Sequence, residues 1–328
     1  MAINPVSILF ESRFFSWCQE NGETFIAKQD AVLIEEGQAT PDLFIVLEGT
    51  GDVTTTRKTE NESTSSIQLA VIGTGQFVGE MSLLEDRLPV ATVIARQGSH
   101  WIRVNYQQLM SAMTADKQLA ISTYQVFAEK LAFQLSNQNA FIHRWPGQDI
   151  EPLRKVLLVF GEWSELDVAW LAKQGKRMDL EQNTRFIHEG EPLGKIFVVL
   201  DGEADVLINS ANKPTKVGTS RRGEILGEMS FLGENERATA TVQAKESMVL
   251  LAIEKSTIRK QLKDDSGFAE RFYRSLAVLL SHRSRDQLMA RGMAAQAASL
   301  EELDLSTLSN VSTAGQRFEW LCQEIMGL

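Results

Sequence analysis

The tetrapeptide Gly79-Glu80-Met81-Ser82 occurs a second time as Gly227-Glu228-Met229-Ser230, and an arginine follows each copy, Arg87 or Arg237. A glycine leading into a helical turn presents unpaired backbone N–H groups and the positive end of the helix dipole, which suits an anion. A guanidinium adds charge and a planar fork of donors, and the hydroxyls of Thr92, Thr239 and Thr241 extend the donor set. That chemistry is binding, not bond-making. His100, His143, His188 and His282 are scattered along the chain and expected to face solvent, so catalysis by histidine is not expected. Cys18 and Cys322 stand at opposite ends and form no metal-ligand spacing, a usage that fits a reducing cytoplasm.

The tetrapeptides belong to a longer repeat. IEEGQATPDLFIVLEGTGDV (34–53) matches IHEGEPLGKIFVVLDGEADV (187–206), and GQFVGEMSLLEDRLPVATV (75–93) matches GEILGEMSFLGENERATATV (223–242). Two blocks recurring in the same order mark a duplication. The runs LFIVLEG and IFVVLDG are β-branched and aromatic, and each ends at a glycine suited to a tight turn. TTTRKTENESTSS, between the blocks of the first copy, reads as an exposed hairpin insertion. Each copy closes in a helical pattern: Leu119, Tyr124, Phe127, Leu131 and Leu135 over roughly 116–141, then Phe268, Phe272, Leu276, Leu279 and Leu280 over roughly 265–290. WPGQDIEP (145–152) reads as a linker, with Phe141 and Trp145 as core where helix meets linker, and Met289 and Met293 as packing. WSELDVAWLAKQGKRM (163–178) reads as a helix capped by Ser164. The last stretch, with five acidic residues and one basic residue, Arg317, reads as a loop and a short helix carrying Phe318, Leu321 and Ile325, packed back on the second domain.

Assembled, these pieces resemble the cyclic-nucleotide-binding domain family, the barrel of the kinase regulatory subunit and of bacterial catabolite activators. The most specific part is the phosphate-binding cassette: Gly-Glu, a short apolar helical turn, then a loop with an arginine before a small-Ala-Thr-Val strand. The resemblance implies a mainly β fold of two jelly-roll barrels, each flanked by helices, with a C-terminal helical tail. The domains it implies are residues 1–144, 145–295 and 296–328. It also implies that the cassette glutamate accepts from a ribose 2′-hydroxyl and that the arginine meets the phosphate. In the first copy the arginine position counted from Glu80 holds Pro89, with Arg87 two residues earlier. The first pocket (Gly79, Glu80, Met81, Ser82, Arg87, Thr92) is therefore expected not to bind in the usual way, Glu80 instead capping its turn. In the second copy (Gly227, Glu228, Met229, Ser230, Arg237, Thr239, Thr241) Arg237 falls at that count, although the loop is one residue longer before Thr241. Glu228 and Arg237 then either hold a ligand or pair across an empty cassette.

Function follows as an expectation in two forms. One is a non-enzymatic cytoplasmic sensor that binds cAMP, cGMP or a related small anion in its second domain and signals to a protein partner through helix movement. The other is a ligand-free interaction scaffold with both pockets degenerate. A homodimer through the closing helices is compatible with either. The net charge of −10 and the lack of a helix-turn-helix pattern in the tail weigh against nucleic acid. No apolar run reaches the length of a membrane span, and the N-terminus shows no secretory signal. Arg221-Arg222 reads as a solvated basic face.

Overall fold

The computed structural model describes residues 9–58, 64–142, 158–210, 213–233, 236–290 and 305–327. The chain divides into two compact units, the first taking residues up to Lys130 together with those from Ser281, the second taking Leu131–Leu280 and the last helix. These limits differ from boundaries at 144/145 and 295/296 because they fall inside long helices, where no shift in composition marks them. The linker at 145–152 with Trp145, and also His143 and Met293, lie outside the described residues, as do the side chains of Phe141 and Met289.

The first unit opens with helix α1 (Arg13–Asn21) and strands β1 (Glu23–Ile26), β2 (Ala31–Ile34), β3 (Asp42–Glu48), β4 (Thr50–Lys58), β5 (Thr64–Gly73) and β6 (Phe77–Val78). Helix α2 (Glu80–Glu85), strands β7 (Thr92–Ala95) and β8 (His100–Asn105), helix α3 (Tyr106–Ala115) and helix α4 (Lys117–Ile142) follow. Two antiparallel sheets, β1-β8-β3-β6 and β2-β7-β4-β5, make a jelly roll. Strand β3 is buried on both faces. Phe44 and Val46 join the barrel core with Ile72, Val93, Ala95 and Trp101. On the opposite face, Ile45 pairs with Phe77, whose ring meets Phe14 of α1 at 6.0 Å and Phe127 of α4 at 5.4 Å. The Trp101 indole N–H donates to Ser99 Oγ at 2.7 Å, so the largest core side chain carries no orphan donor.

The second unit repeats this order. Helices α5 (Leu158–Glu162) and α6 (Glu165–Gln174) lead into strands β9 (Lys176–Leu180), β10 (Arg185–Ile187), β11 (Lys195–Asp201), β12 (Ala204–Ser210), β13 (Lys213–Ser220) and β14 (Ile225–Leu226). Helix α7 (Glu228–Leu232), strands β15 (Thr241–Ala244) and β16 (Met248–Glu254), and helices α8 (Lys255–Asp264), α9 (Ser266–Ala290) and α10 (Leu305–Met326) complete it. The sheets β9-β16-β11-β14 and β10-β15-β12-β13 match those of the first unit strand for strand. Ser164 caps α6 in a capping box with Asp167, and Asp167 also takes a bidentate pair from Arg271 at 2.6 and 2.8 Å. The expected helix over 163–178 ends earlier, at Gln174, because Gly175 turns the chain into β9.

The terminal helix is longer than a short amphipathic segment. Its Phe318, Leu321 and Cys322 are buried in the second unit, with Phe318 against Phe160 at 5.1 Å. The pair Arg221-Arg222 is not merely a solvated face. Arg221 pairs with Glu203, while Arg222 lies over the Phe318 ring at 5.4 Å and reaches Leu200 O and Glu319. No helix among the described residues is long and apolar enough to cross a membrane.

Helix α4 carries one strained charge. Glu129 accepts from Gln125 through Oε1, its Oε2 is buried without a partner, and burial pushes its carboxyl up to about 7. The folded chain thus holds this proton more tightly than the unfolded chain does. Stability from it is complete at acid pH and is lost as pH rises through about 7. Glu129→Gln is expected to raise stability by about 1–3 kcal/mol at pH 8 and to leave it unchanged or lower at pH 4, read by urea unfolding at both values.

Candidate functional site

Both cassettes start at a glycine that only a residue without Cβ can occupy. Gly79 has φ 104° and Gly227 φ 89°, and an added Cβ would lie 2.9 Å from Asp42 O or 2.8 Å from Lys195 O. Each glycine brings a glutamate to the first position of a short helix, and both carboxylates are withdrawn from solvent, Glu80 at 2% exposure and Glu228 at 3%.

The two glutamates do not share the same surroundings. Lys130 Nζ on α4 reaches Glu80 Oε1 at 2.6 Å and lies over the Phe77 ring at 4.5 Å. Burial pushes the Lys130 ammonium down, and the Glu80 charge beside it opposes that shift. Strand register makes Ile225 the second-copy counterpart of Phe77, and equal spacing from the helix caps Asp116 and Asp265 makes Leu279 that of Lys130, so an aliphatic side chain stands at each of these two positions. Beneath the cassettes the asymmetry reverses. Tyr106 OH donates to Gly79 O at 2.6 Å, and its counterpart is Lys255, whose Nζ donates to Ser230 Oγ at 2.9 Å. Lys255 is 1% exposed, and burial pushes its ammonium down to about 8, against the pull of Glu236 and Glu228. Ser230 in turn donates to Gly227 O. Neither lysine belongs to the repeated blocks, although aligning the two copies past β8 and β16 sets Lys130 against Leu279 and Tyr106 against Lys255.

The arginines do not stand where residue counting puts them. Gly37 N–H donates to Pro89 O and Gly190 N–H to Ala238 O, which makes Pro89 the counterpart of Ala238 and Leu88 that of Arg237. The extra residue of the second loop therefore precedes Arg237. Its exposed guanidinium turns to Gly190 O at 2.6 Å rather than to Glu228, because the β-bridge from Arg237 to Pro192 holds the backbone in that register. Arg87 is half-buried, with no ion pair among the described residues. Thr92 and Thr241 accept backbone N–H bonds from Glu36 and Glu189, and Thr239 donates to Met229 Sδ at 3.8 Å. Met81, Ser82 and Met229 are half-buried. His100 and His188 are about half exposed, and His282 is partly buried. No three His, Cys, Asp or Glu side chains among the described residues are placed to hold a metal ion.

A family model described as cyclic nucleotide-binding domain matches residues 26–116 and again 177–265, together more than half of the chain. The chain belongs to the cyclic nucleotide-binding domain family. Its two matched segments are a tandem pair of cyclic nucleotide-binding domains. Among solved structures, the regulatory domain of Toxoplasma gondii protein kinase A with cAMP is 18% identical, over 85% of this chain and 92% of that one, at a TM-score of 0.32. The regulatory subunit of a cAMP-independent protein kinase A from Trypanosoma brucei is 17% identical, over 80% and 91%, at 0.29. A cyclic nucleotide-binding domain from Methylobacillus flagellatus is 19% identical, over 46% and 85%, at 0.38.

Removing one partner of a buried pair leaves an uncompensated charge. Lys130→Met is therefore expected to destabilise the chain by roughly 3–5 kcal/mol, and adding Glu80→Gln to recover most of that, measured by denaturant unfolding.

Proposed function

We propose that the chain is a regulatory sensor whose second cassette takes a cyclic nucleotide, cAMP or cGMP, or a related small anion. The observation that carries this reading is the exchange of cations between the copies. The first cassette commits Lys130 to Glu80, whereas the second keeps an apolar residue at that place and sets a buried ammonium, Lys255, against the Gly227–Ser230 turn. Lys255 supplies the positive potential that Arg237, turned outward, does not. A ligand's ribose hydroxyl would meet Glu228 and its phosphate the turn above Ser230. Binding then shifts α9 against the barrel, because the ligand favours one of two arrangements. That movement is the signal to a protein partner in the cytoplasm, and a homodimer of the chain is compatible with it.

The outward Arg237 favours a second reading, a scaffold whose pockets both stand without nucleotide. Thermal unfolding with cAMP, cGMP and cyclic dinucleotides separates the two. A ligand at 100 times its dissociation constant adds about 2.7 kcal/mol, and Lys255→Met is expected to abolish the shift. No shift with any of these ligands supports the scaffold instead.

The pH dependence is a separate check. The Lys255 value of about 8 lies below that of an exposed lysine, so the folded chain loses this proton first and its stability rises with pH above about 8. An anion favours protonated Lys255, so its affinity is expected to fall over the same range, measured by titration calorimetry from pH 6.5 to pH 9.5. An affinity that stays flat would remove Lys255 from the site.

A further inference from the structure

The last turns of α9, from Ser281 onward, belong to the first unit, and they bury a polar stripe there. Ser281 is 0% exposed, Ser284 1% and Arg285 4%. Burying hydroxyls and a guanidinium is unfavourable unless something specific receives them. What receives two of them is the end of the first cassette. Ser281 Oγ donates to Glu85 Oε1, Arg285 Nε donates to Glu85 Oε2 at 2.5 Å, and Arg285 Nη1 donates to Leu88 O at 3.2 Å. Glu85 is the last residue of α2, and its side chain is fully buried. Leu88 is the counterpart of Arg237, the loop arginine of the second copy.

We propose that the first cassette is a receptor for a protein segment, and that its occupant is the Ser281–Arg285 turn of this same chain. The site reads two side chains four residues apart, which therefore share one helix face: a hydroxyl and a guanidinium converging on one carboxylate. The guanidinium also binds a backbone carbonyl of the loop, a reach that a lysine ammonium does not reproduce. The acid at Glu85 suits this occupant and would repel a phosphate. With Lys130 on Glu80 and Arg285 on Glu85, both carboxylates that bracket α2 are neutralised from within the chain.

The test is hydrogen exchange of the intact protein, read over residues 80–92 and, as an internal control, over β3 and β8. In Arg285→Ala, exchange over 80–92 is expected to rise at least tenfold while β3 and β8 keep their protection. Glu85→Gln is expected to do the same, and the double variant to be no worse than the worse single one, the mark of two groups acting on each other. Ethylguanidinium added to Arg285→Ala is expected to restore protection over 80–92. Should β3 and β8 open as well, Arg285→Lys takes the place of Arg285→Ala, with the same rise over 80–92 expected. Unchanged exchange over 80–92 in the single variants, or effects that simply add in the double variant, would overturn the proposal. So would nucleotide protecting 80–92 in the wild-type chain.

Discussion

A carboxylate buried at the start of a short helix must find a cation or several donors, and the ion pair between Glu80 and Lys130 is the point on which the first domain turns. It joins the cassette to α4, the closing helix, across the Phe77 ring. Phe77 in turn packs on Phe14 and Phe127, so the charge pair sits against an aromatic cluster that excludes water and strengthens it.

The second domain solves the same problem with the same fold and different chemistry. Leu279 and Ile225 replace the lysine and the phenylalanine, and the cation moves beneath the turn, where Lys255 stands in place of Tyr106. Duplication preserved the strand order and the glycine geometry, which the jelly roll demands. The placement of charge, which the jelly roll does not fix, diverged. The first copy sets a buried ammonium on Glu80, and the second sets one against its turn, where burial presses on its proton.

The terminal helix shows how a basic pair acquires a role through packing. Arg222 spreads its guanidinium over Phe318 while donating to Leu200 O and Glu319, and Arg317 reaches the carbonyls of Phe160 and Gly161. The helix is thereby fastened to the second unit by donors at both of its flanks as well as by Phe318 and Leu321.

The sequence alone determined the duplication, the two jelly rolls, the cassette glycines and the capped helix at Ser164. Each is written in the chain itself: continuous β-branched and aromatic runs in β3 and β11 that are buried on both faces, a glycine where φ must be positive, a serine three residues before an acid. Counting along the sequence set Pro89 at the arginine place of the first cassette, whereas the hydrogen-bond register sets Leu88 opposite Arg237. What the tertiary structure decided was which charges meet. Lys130 is 50 residues from Glu80 and Arg285 is 200 from Glu85, and no local pattern links groups so far apart. The aim of Arg237 depended on a one-residue register that only the hydrogen bonds from Gly37 and Gly190 fix. Partners of buried charge are chosen by the packing of distant elements, because a desolvated group takes whichever opposite charge the fold brings within reach.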